Sequence, residues 1–152
     1  MSDEQVRALA TELGATIGTN TKSIELIVPP DKVPAACKMV AAIPGLYHLS
    51  TMTGFDKGDS IEILYHFWEG KRFVDVRTSV PKSAPRLKSI SGEVAAATLY
   101  EAEIQDILGV TFDGNPYQGK RLLLPDNYPA DAPPPLTKEA DPEKIRKMLE
   151  LE

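Results

Sequence analysis

The spacing of apolar positions changes several times along the chain, and each change marks an element. Val6, Leu9, Ala10 and Leu13 recur at three- and four-residue intervals, which predicts a first amphipathic helix stopping at Gly14. Ser2 with Gln5 three residues on forms a capping-box pattern, and Asp3 and Glu4 fall in the first turn. Ile24 to Val28 reads as a short strand ended by Pro29-Pro30. Asp31 is placed to cap a second helix, which tolerates Pro34 only because it lies in the first turn. Val33, Ala36, Cys37, Val40 and Ala41 share one apolar face of that helix, and Pro44-Gly45 ends it. Three strands are predicted next, over about 47–55, 61–68 and 72–80, with turns at Asp56–Asp59 and Glu69-Gly70. In the middle one, Ile61, Ile63, Tyr65 and Phe67 alternate with Glu62, Leu64, His66 and Trp68. An alanine-rich helix over about 92–108 follows, closed by Gly109.

The predicted order is α-β-α-β-β-β-α. A strand–helix–strand unit implies a right-handed crossover, and the strands joined by short turns should be antiparallel. The expected fold class is therefore α/β (α+β), a mixed sheet of about four strands with helices packed on it. Composition adds a division within the chain. Residues 1–100 hold eleven acidic and eleven basic residues, whereas residues 101–152 hold eleven acidic and six basic, which accounts for the net charge of −5. Seven of the thirteen prolines lie between Pro116 and Pro142. We therefore expect an α/β domain over 1–115 and an extended, proline-rich tail over 116–152. The tail offers little apolar surface to offset chain entropy. Within it, Asp141 can cap a short terminal helix with Pro142 at its first position and Ile145, Met148 and Leu149 as a narrow apolar stripe. Residues 120–152 are expected to lie over a partner rather than on their own domain.

Charge and composition exclude several classes of function. The acidic balance lacks the footprint of a nucleic-acid binder. The single cysteine, Cys37, cannot build a disulfide framework, a zinc finger or a cysteine-bound cluster, the last two needing about four ligands. Residues 1–13 lack the apolar stretch of a secretory signal, and 39–55 is too polar to span a bilayer. Cys37 reads as a buried structural thiol, and His48 and His66 lack ligand-like spacing. The glycines at 109, 114 and 119 do not form a phosphate loop. Glu103 and Asp106 share a helix face while Glu101 points nearly the other way. No catalytic or metal-binding constellation emerges. What stands out is 99–129, where Leu122-Leu123-Leu124 sits in a proline-bounded stretch, a poor solvent-exposed strand and a plausible docking strip.

This segment resembles a known family. Glu101-Ala102-Glu103, then Asp106, Gly109-Val110, Phe112 and Gly114-Asn115-Pro116 are similar to the signature of the 30-kDa subunit family of respiratory complex I. There the pattern runs Glu-Arg-Glu, two residues, Asp, two residues, Gly, an aliphatic, any, an aromatic, any, Gly-His-Pro. Arg121, Leu122-Leu123-Leu124-Pro125 and Tyr128 resemble the strip that follows it, and Leu87–Ser91 resembles the family's lead-in. Three positions depart from the pattern: Ala102 stands for arginine, Asn115 for histidine, and Pro129–Thr137 for the basic end of the respiratory enzymes.

The resemblance implies a structural subunit of the hydrophilic arm of a membrane-bound, complex I-like oxidoreductase, closer to the energy-converting hydrogenases. Such a subunit binds no cofactor itself. It packs on a large, hydrogenase-like catalytic subunit beside a small iron–sulfur subunit, and those partners carry the iron–sulfur clusters and any nickel–iron centre. It would lie on the cytoplasmic side of the cell membrane, reaching the membrane through its partners alone. Glu101, Glu103 and Asp106 would be held by cations or backbone amides, with Lys120, Arg121 or a partner residue as counter-charge. Two alternatives remain: a subunit of a true NADH:quinone or other quinone-reducing oxidoreductase, and a stand-alone ligand-binding protein or enzyme using the acidic helix.

Overall fold

The computed structural model describes residues 3–19, 23–45, 48–68 and 70–149. Ser2 and its proposed cap lie outside them. Helix α1 (Asp3–Leu13) buries Val6, Ala10 and Leu13 and ends where Gly14 takes a φ of +62°. Strands β1 (Thr16–Thr19) and β2 (Ser23–Ile27) pair antiparallel. A 3-10 turn at Pro30–Lys32 leads into α2 (Val33–Ala41). The expected cap is corrected here: Asp31 sits within the 3-10 turn, and no side chain caps α2. Val33, Ala36, Cys37 and Val40 of α2 are all fully buried, whereas Ala41 is exposed.

Strands β3 (His48–Asp56), β4 (Ser60–Trp68) and β5 (Phe73–Pro81) form an antiparallel meander. The last of them returns to lie parallel to β2, giving a five-stranded mixed sheet in the order β1-β2-β5-β4-β3. The sheet thus has one strand more than the pattern predicts. β1 is only four residues long and contains Gly18, so it carries almost no periodic signal. β3, which follows α2, lies at the opposite edge, and it is β5 that pairs parallel with β2. The alternation read for β4 is the one observed: Ile61, Ile63, Tyr65 and Phe67 are at most 1% exposed on the core side. They pack with Val74, Val76 and Val80 of β5 under α2, in the main core.

A two-stranded parallel sheet, β6 (Arg86–Lys88) with β7 (Thr111–Asp113), brackets helix α3 (Ala97–Leu108). α3 starts five residues later than expected because 91–96 forms turns, with the Ile90 carbonyl accepting from the amides of Glu93 and Val94. α3 lies on β3, and Gly54 marks the contact: a Cβ there would run into Leu108 Cδ1. Gly109, at φ +74°, closes the helix, and its amide donates to the Gln105 carbonyl.

The proline-rich segment corrects one expectation. Residues 120–139 are laid back on their own domain rather than away from it. Asp106 accepts from the amides of Leu122, Leu123 and Leu124. The Leu136 amide donates to the Ile107 carbonyl, one of the acceptors left open at the end of α3. The Lys138 amide donates to Asp56, and Lys82 pairs with both Asp56 and Glu139. Tyr128 is buried, its hydroxyl donating to the Pro133 carbonyl. The physical reason is the supply of acceptors on the domain, which the free amides between the prolines, those of Leu122, Leu123, Leu124, Leu136 and Lys138, reach without forming regular structure. Helix α4 (Pro142–Met148) is capped as expected, Asp141 accepting from the amides of Glu143 and Lys144.

Candidate functional site

α3 carries the acidic motif, and its two buried carboxylates do different jobs. Glu101 is 0% exposed. One carboxylate oxygen accepts from the Ile90 amide at 2.8 Å; the other accepts from the Ser89 hydroxyl at 2.6 Å and Asn115 Nδ2 at 2.8 Å. All three donors are neutral. Burial therefore outweighs the hydrogen bonds and pushes the Glu101 carboxyl above its ordinary value. Asn115 serves three contacts: its amide nitrogen also reaches the Thr98 carbonyl, and its oxygen accepts from the Tyr117 amide at 2.7 Å. Glu101 thus ties α3 both to the segment before it and to the turn after it.

Asp106 holds the later turn. A single oxygen, Oδ2, gathers the amides of Leu122, Leu123 and Leu124 at 2.7, 2.6 and 3.1 Å, an arrangement of successive N–H groups suited to an anion. Gln105, beside it, donates to the carbonyls of Tyr117 and Lys120 and accepts from the Gly119 amide. The Glu103 side chain is exposed, on the solvent side of α3. Neither Lys120 nor Arg121 is the counter-charge expected for the cluster. Lys120 Nζ donates to the Pro116 carbonyl, and Arg121 Nη1 to the carbonyls of Pro125 and Asp126.

The other motif positions shape the same region. Phe112 is 1% exposed in the core beneath β7. Gly109 and Gly114 take φ of +74° and +93°, which L side chains rarely adopt. Pro116 and Pro125 are exposed turn residues. Leu124 is half-buried, but Leu122 and Leu123 remain 38% and 56% exposed, although their backbone is held. Gln105, Asp106, Thr111, Gln118, Gly119, Lys120, Arg121 and Leu124 line an open cleft of about 370 Å³ between α3 and this turn.

Away from the motif, Cys37 is fully buried, and burial pushes its thiol up, with Glu101 and Glu93 adding to the effect. His66 is held between Asp75, 2.7 Å from Nδ1, and Thr53, 2.8 Å from Nε2, on the sheet face away from the main core. Arg77 bridges Glu25 and Glu62 on the same face. Among the described residues no three His, Cys, Asp or Glu side chains gather as a metal site, and no helix is long and apolar enough to cross a membrane. Sequence reasoning missed Gln105, whose side chain organises the loop, and the His66 network. Glutamine has no motif signature, and cross-strand partners depend on a register that no local pattern reveals.

An α+β domain whose third helix holds its flanking loops with buried carboxylates is the class of module defined here. The chain belongs to the family of the respiratory-chain NADH dehydrogenase 30 Kd subunit, which matches residues 26–146. It is similar to a subunit of the NADH-quinone oxidoreductase of Moorella thermoacetica, 30% identical over 68% of this chain and 72% of that protein. It is also similar to a subunit of the F(420)H(2) dehydrogenase of Methanosarcina mazei, 25% identical over 72% of each. Its fold matches a chain of an archaeal respiratory membrane complex, the membrane-bound sulfane sulfur reductase. The TM-score is 0.76 at 24% identity, covering 98% of this chain and 91% of that one. The protein is thus a subunit of a complex I-like oxidoreductase assembly, and its partners are other subunits of that assembly.

Proposed function

We propose that this subunit is a non-catalytic assembly part that docks onto the large catalytic subunit of its complex through the 120–125 strip. The observation that carries the reading is the state of Leu122 and Leu123. Their amides are fixed on Asp106 while their side chains stand 38% and 56% exposed. Exposed leucines on a held backbone lose little further freedom on binding, which is the condition for an economical interface. Electrons then pass through iron–sulfur clusters, and any nickel–iron centre, of the neighbouring subunits. The assembly is of the energy-converting hydrogenase type or a relative using another acceptor, with this chain on the cytoplasmic side and reaching the membrane through its partners.

The test is a double substitution, Leu122→Asp with Leu123→Asp, in the tagged chain expressed in its host. Both side chains are solvent-facing, so the fold should survive, as circular dichroism would verify. The expected result is loss of the large subunit from the purified material. Co-purification at the wild-type ratio overturns the proposal.

A further inference from the structure

The cleft beside the leucine strip has a chemistry of its own. Of its eight lining residues three are charged: Asp106, Lys120 and Arg121. The charge of Asp106 already meets three backbone N–H groups on one oxygen. The two cations, in contrast, meet no carboxylate among the described residues. Lys120 Nζ has one bond, 3.2 Å to the Pro116 carbonyl, and lies 6.0 Å from the Tyr117 ring centroid. Arg121 uses Nη1 alone, at 2.9 Å to each of two carbonyls, and its guanidinium stands 5.9 Å from the Tyr128 ring centroid. Those contacts fix the plane of the guanidinium and leave Nε and Nη2 to donate elsewhere. Gln105 and Gln118 are committed to backbone and side-chain bonds within the loop. The charged groups that line the cleft without a carboxylate partner among the described residues are therefore cationic donors, in the part of the chain that carries the whole net charge of −5.

Resting on the docking reading above, we propose that this cleft receives a carboxylate side chain, Asp or Glu, from the docked subunit. The carboxylate accepts from Lys120 and from the open edge of Arg121. Paired guanidinium donors suit the two oxygens of a carboxylate. A protein carboxylate fits better than a small free anion because Leu122 and Leu123 continue the same backbone strip. Their exposed side chains need an apolar cover, and a protein segment supplies both at once. The acidic residue sets register and the leucines supply contact area, a division between specificity and affinity common at interfaces.

Zero-length carbodiimide cross-linking of the purified complex tests this directly, because it joins an ammonium only to a carboxylate in contact with it. The expected product links Lys120 to an Asp or Glu of the docked subunit. Association of the separately prepared subunits is measured alongside, at low and high salt. Lys120→Glu should weaken it by about tenfold at low salt, with the deficit shrinking at high salt as the charges are screened. Lys120→Gln should cost less, and neither change should alter the melting temperature by more than a degree or so, since the exposed Lys120 ammonium makes a single hydrogen bond and its backbone bonds are kept. If Lys120 stays unlinked while other lysines react, and Lys120→Glu binds like wild type with the same salt dependence, the carboxylate receptor is overturned. Sub-millimolar binding of inorganic phosphate to the free subunit, with that unchanged association, assigns a small-anion site instead and also overturns it. The docking reading fails separately, by full association of the Leu122→Asp, Leu123→Asp variant.

Discussion

Replacing Glu101 tests the construction of the motif most directly. Glutamine keeps the size of the side chain but not its acceptor capacity. If the new amide nitrogen takes the place of the oxygen facing Ser89 and Asn115, the serine can adapt: its hydroxyl oxygen accepts from the amide while its O–H donates to the Ser91 hydroxyl, 2.8 Å away. Asn115 cannot, because flipping it would break the bond from the Tyr117 amide. If the amide nitrogen instead faces Ile90, it meets a backbone donor that cannot move. One buried donor is lost either way. A hydrogen bond to a charged group contributes about 1.5–3 kcal/mol, and removing the buried charge returns part of that, so Glu101→Gln should cost about 1–3 kcal/mol. Glu101→Ala orphans all three donors and leaves a cavity, and should cost about 3–5 kcal/mol.

The pH dependence gives the sharper measurement. Burial lifts the Glu101 carboxyl above its ordinary value of 4.5, so the folded chain holds that proton more firmly than the unfolded chain. Stability from this group is then highest at acid pH and falls as pH rises from about 4.5 through the folded pKa. A glutamic acid hydroxyl can donate to Ser89 and still accept from Asn115, which an amide NH2 cannot do, so the protonated form remains well bonded. The gap between wild type and Glu101→Gln in urea unfolding should therefore narrow from pH 5 to pH 7.5. A gap that widens with pH would mean that the three donors outweigh desolvation and would refute the argument. A glutamine variant within about 0.5 kcal/mol of wild type at both pH values would refute the donor geometry.

Three further outcomes follow from the packing. Asp106→Ala strands three backbone donors and should cost about 1.5–3 kcal/mol. It should also speed tryptic cleavage at Lys120 and Arg121, measured by mass spectrometry, whereas wild type is cut slowly there. Gly54→Ala pushes a methyl group into Leu108 and should cost about 1–3 kcal/mol; the double variant with Leu108→Ala should show a favourable coupling in a thermodynamic cycle. Cys37, buried and with its thiol pushed up, should ignore a disulfide reagent at pH 8 in the native chain and react promptly in denaturant. Prompt native reaction would mean that the face of α2 opens.

The elements legible in the residues were those whose burial is local and periodic. β4 could be read position by position because Ile61 to Phe67 face one core, and α1 and α2 because their apolar faces repeat at helical spacing. What failed to show was decided at a distance. β2 pairs with β5 across some fifty residues of chain, and nothing in Ile24–Val28 names that partner. The start of α3 is late because the amides of Glu93 and Val94 bond back to Ile90, itself held by Glu101. The return of residues 120–139 depends on Asp106, the Ile107 carbonyl and Asp56, acceptors that no reading of proline content could supply. Of the site, Glu101 and Asp106 were legible by resemblance to a spaced motif. Gln105, Ser89 and the His66 network were not, because ordinary polar residues become structural only through what faces them.

The departures from the family pattern make sense in the same geometry. Ala102 is 2% exposed, so an arginine at that position would have to be accommodated in the packed interior of this domain. Without it, the carboxylate of Glu101 has only neutral donors, and its raised pKa follows. Asn115 is the second departure, and it makes three hydrogen bonds from one planar amide, donating to Glu101 and Thr98 and accepting from Tyr117. A neutral histidine has one donor and one acceptor nitrogen, so it could match those contacts only in part, and it would titrate near pH 6.5. The asparagine keeps the turn at Gly114–Tyr117 independent of pH on its own account, leaving Glu101 as the titrating member of the pair. Because Gln105 and Asp106 extend from the same helix to residues 117–124, whatever fixes α3 also fixes the exposed leucines. The motif therefore acts at one remove from its carboxylates: it sets where Leu122, Leu123 and the cations beside them stand.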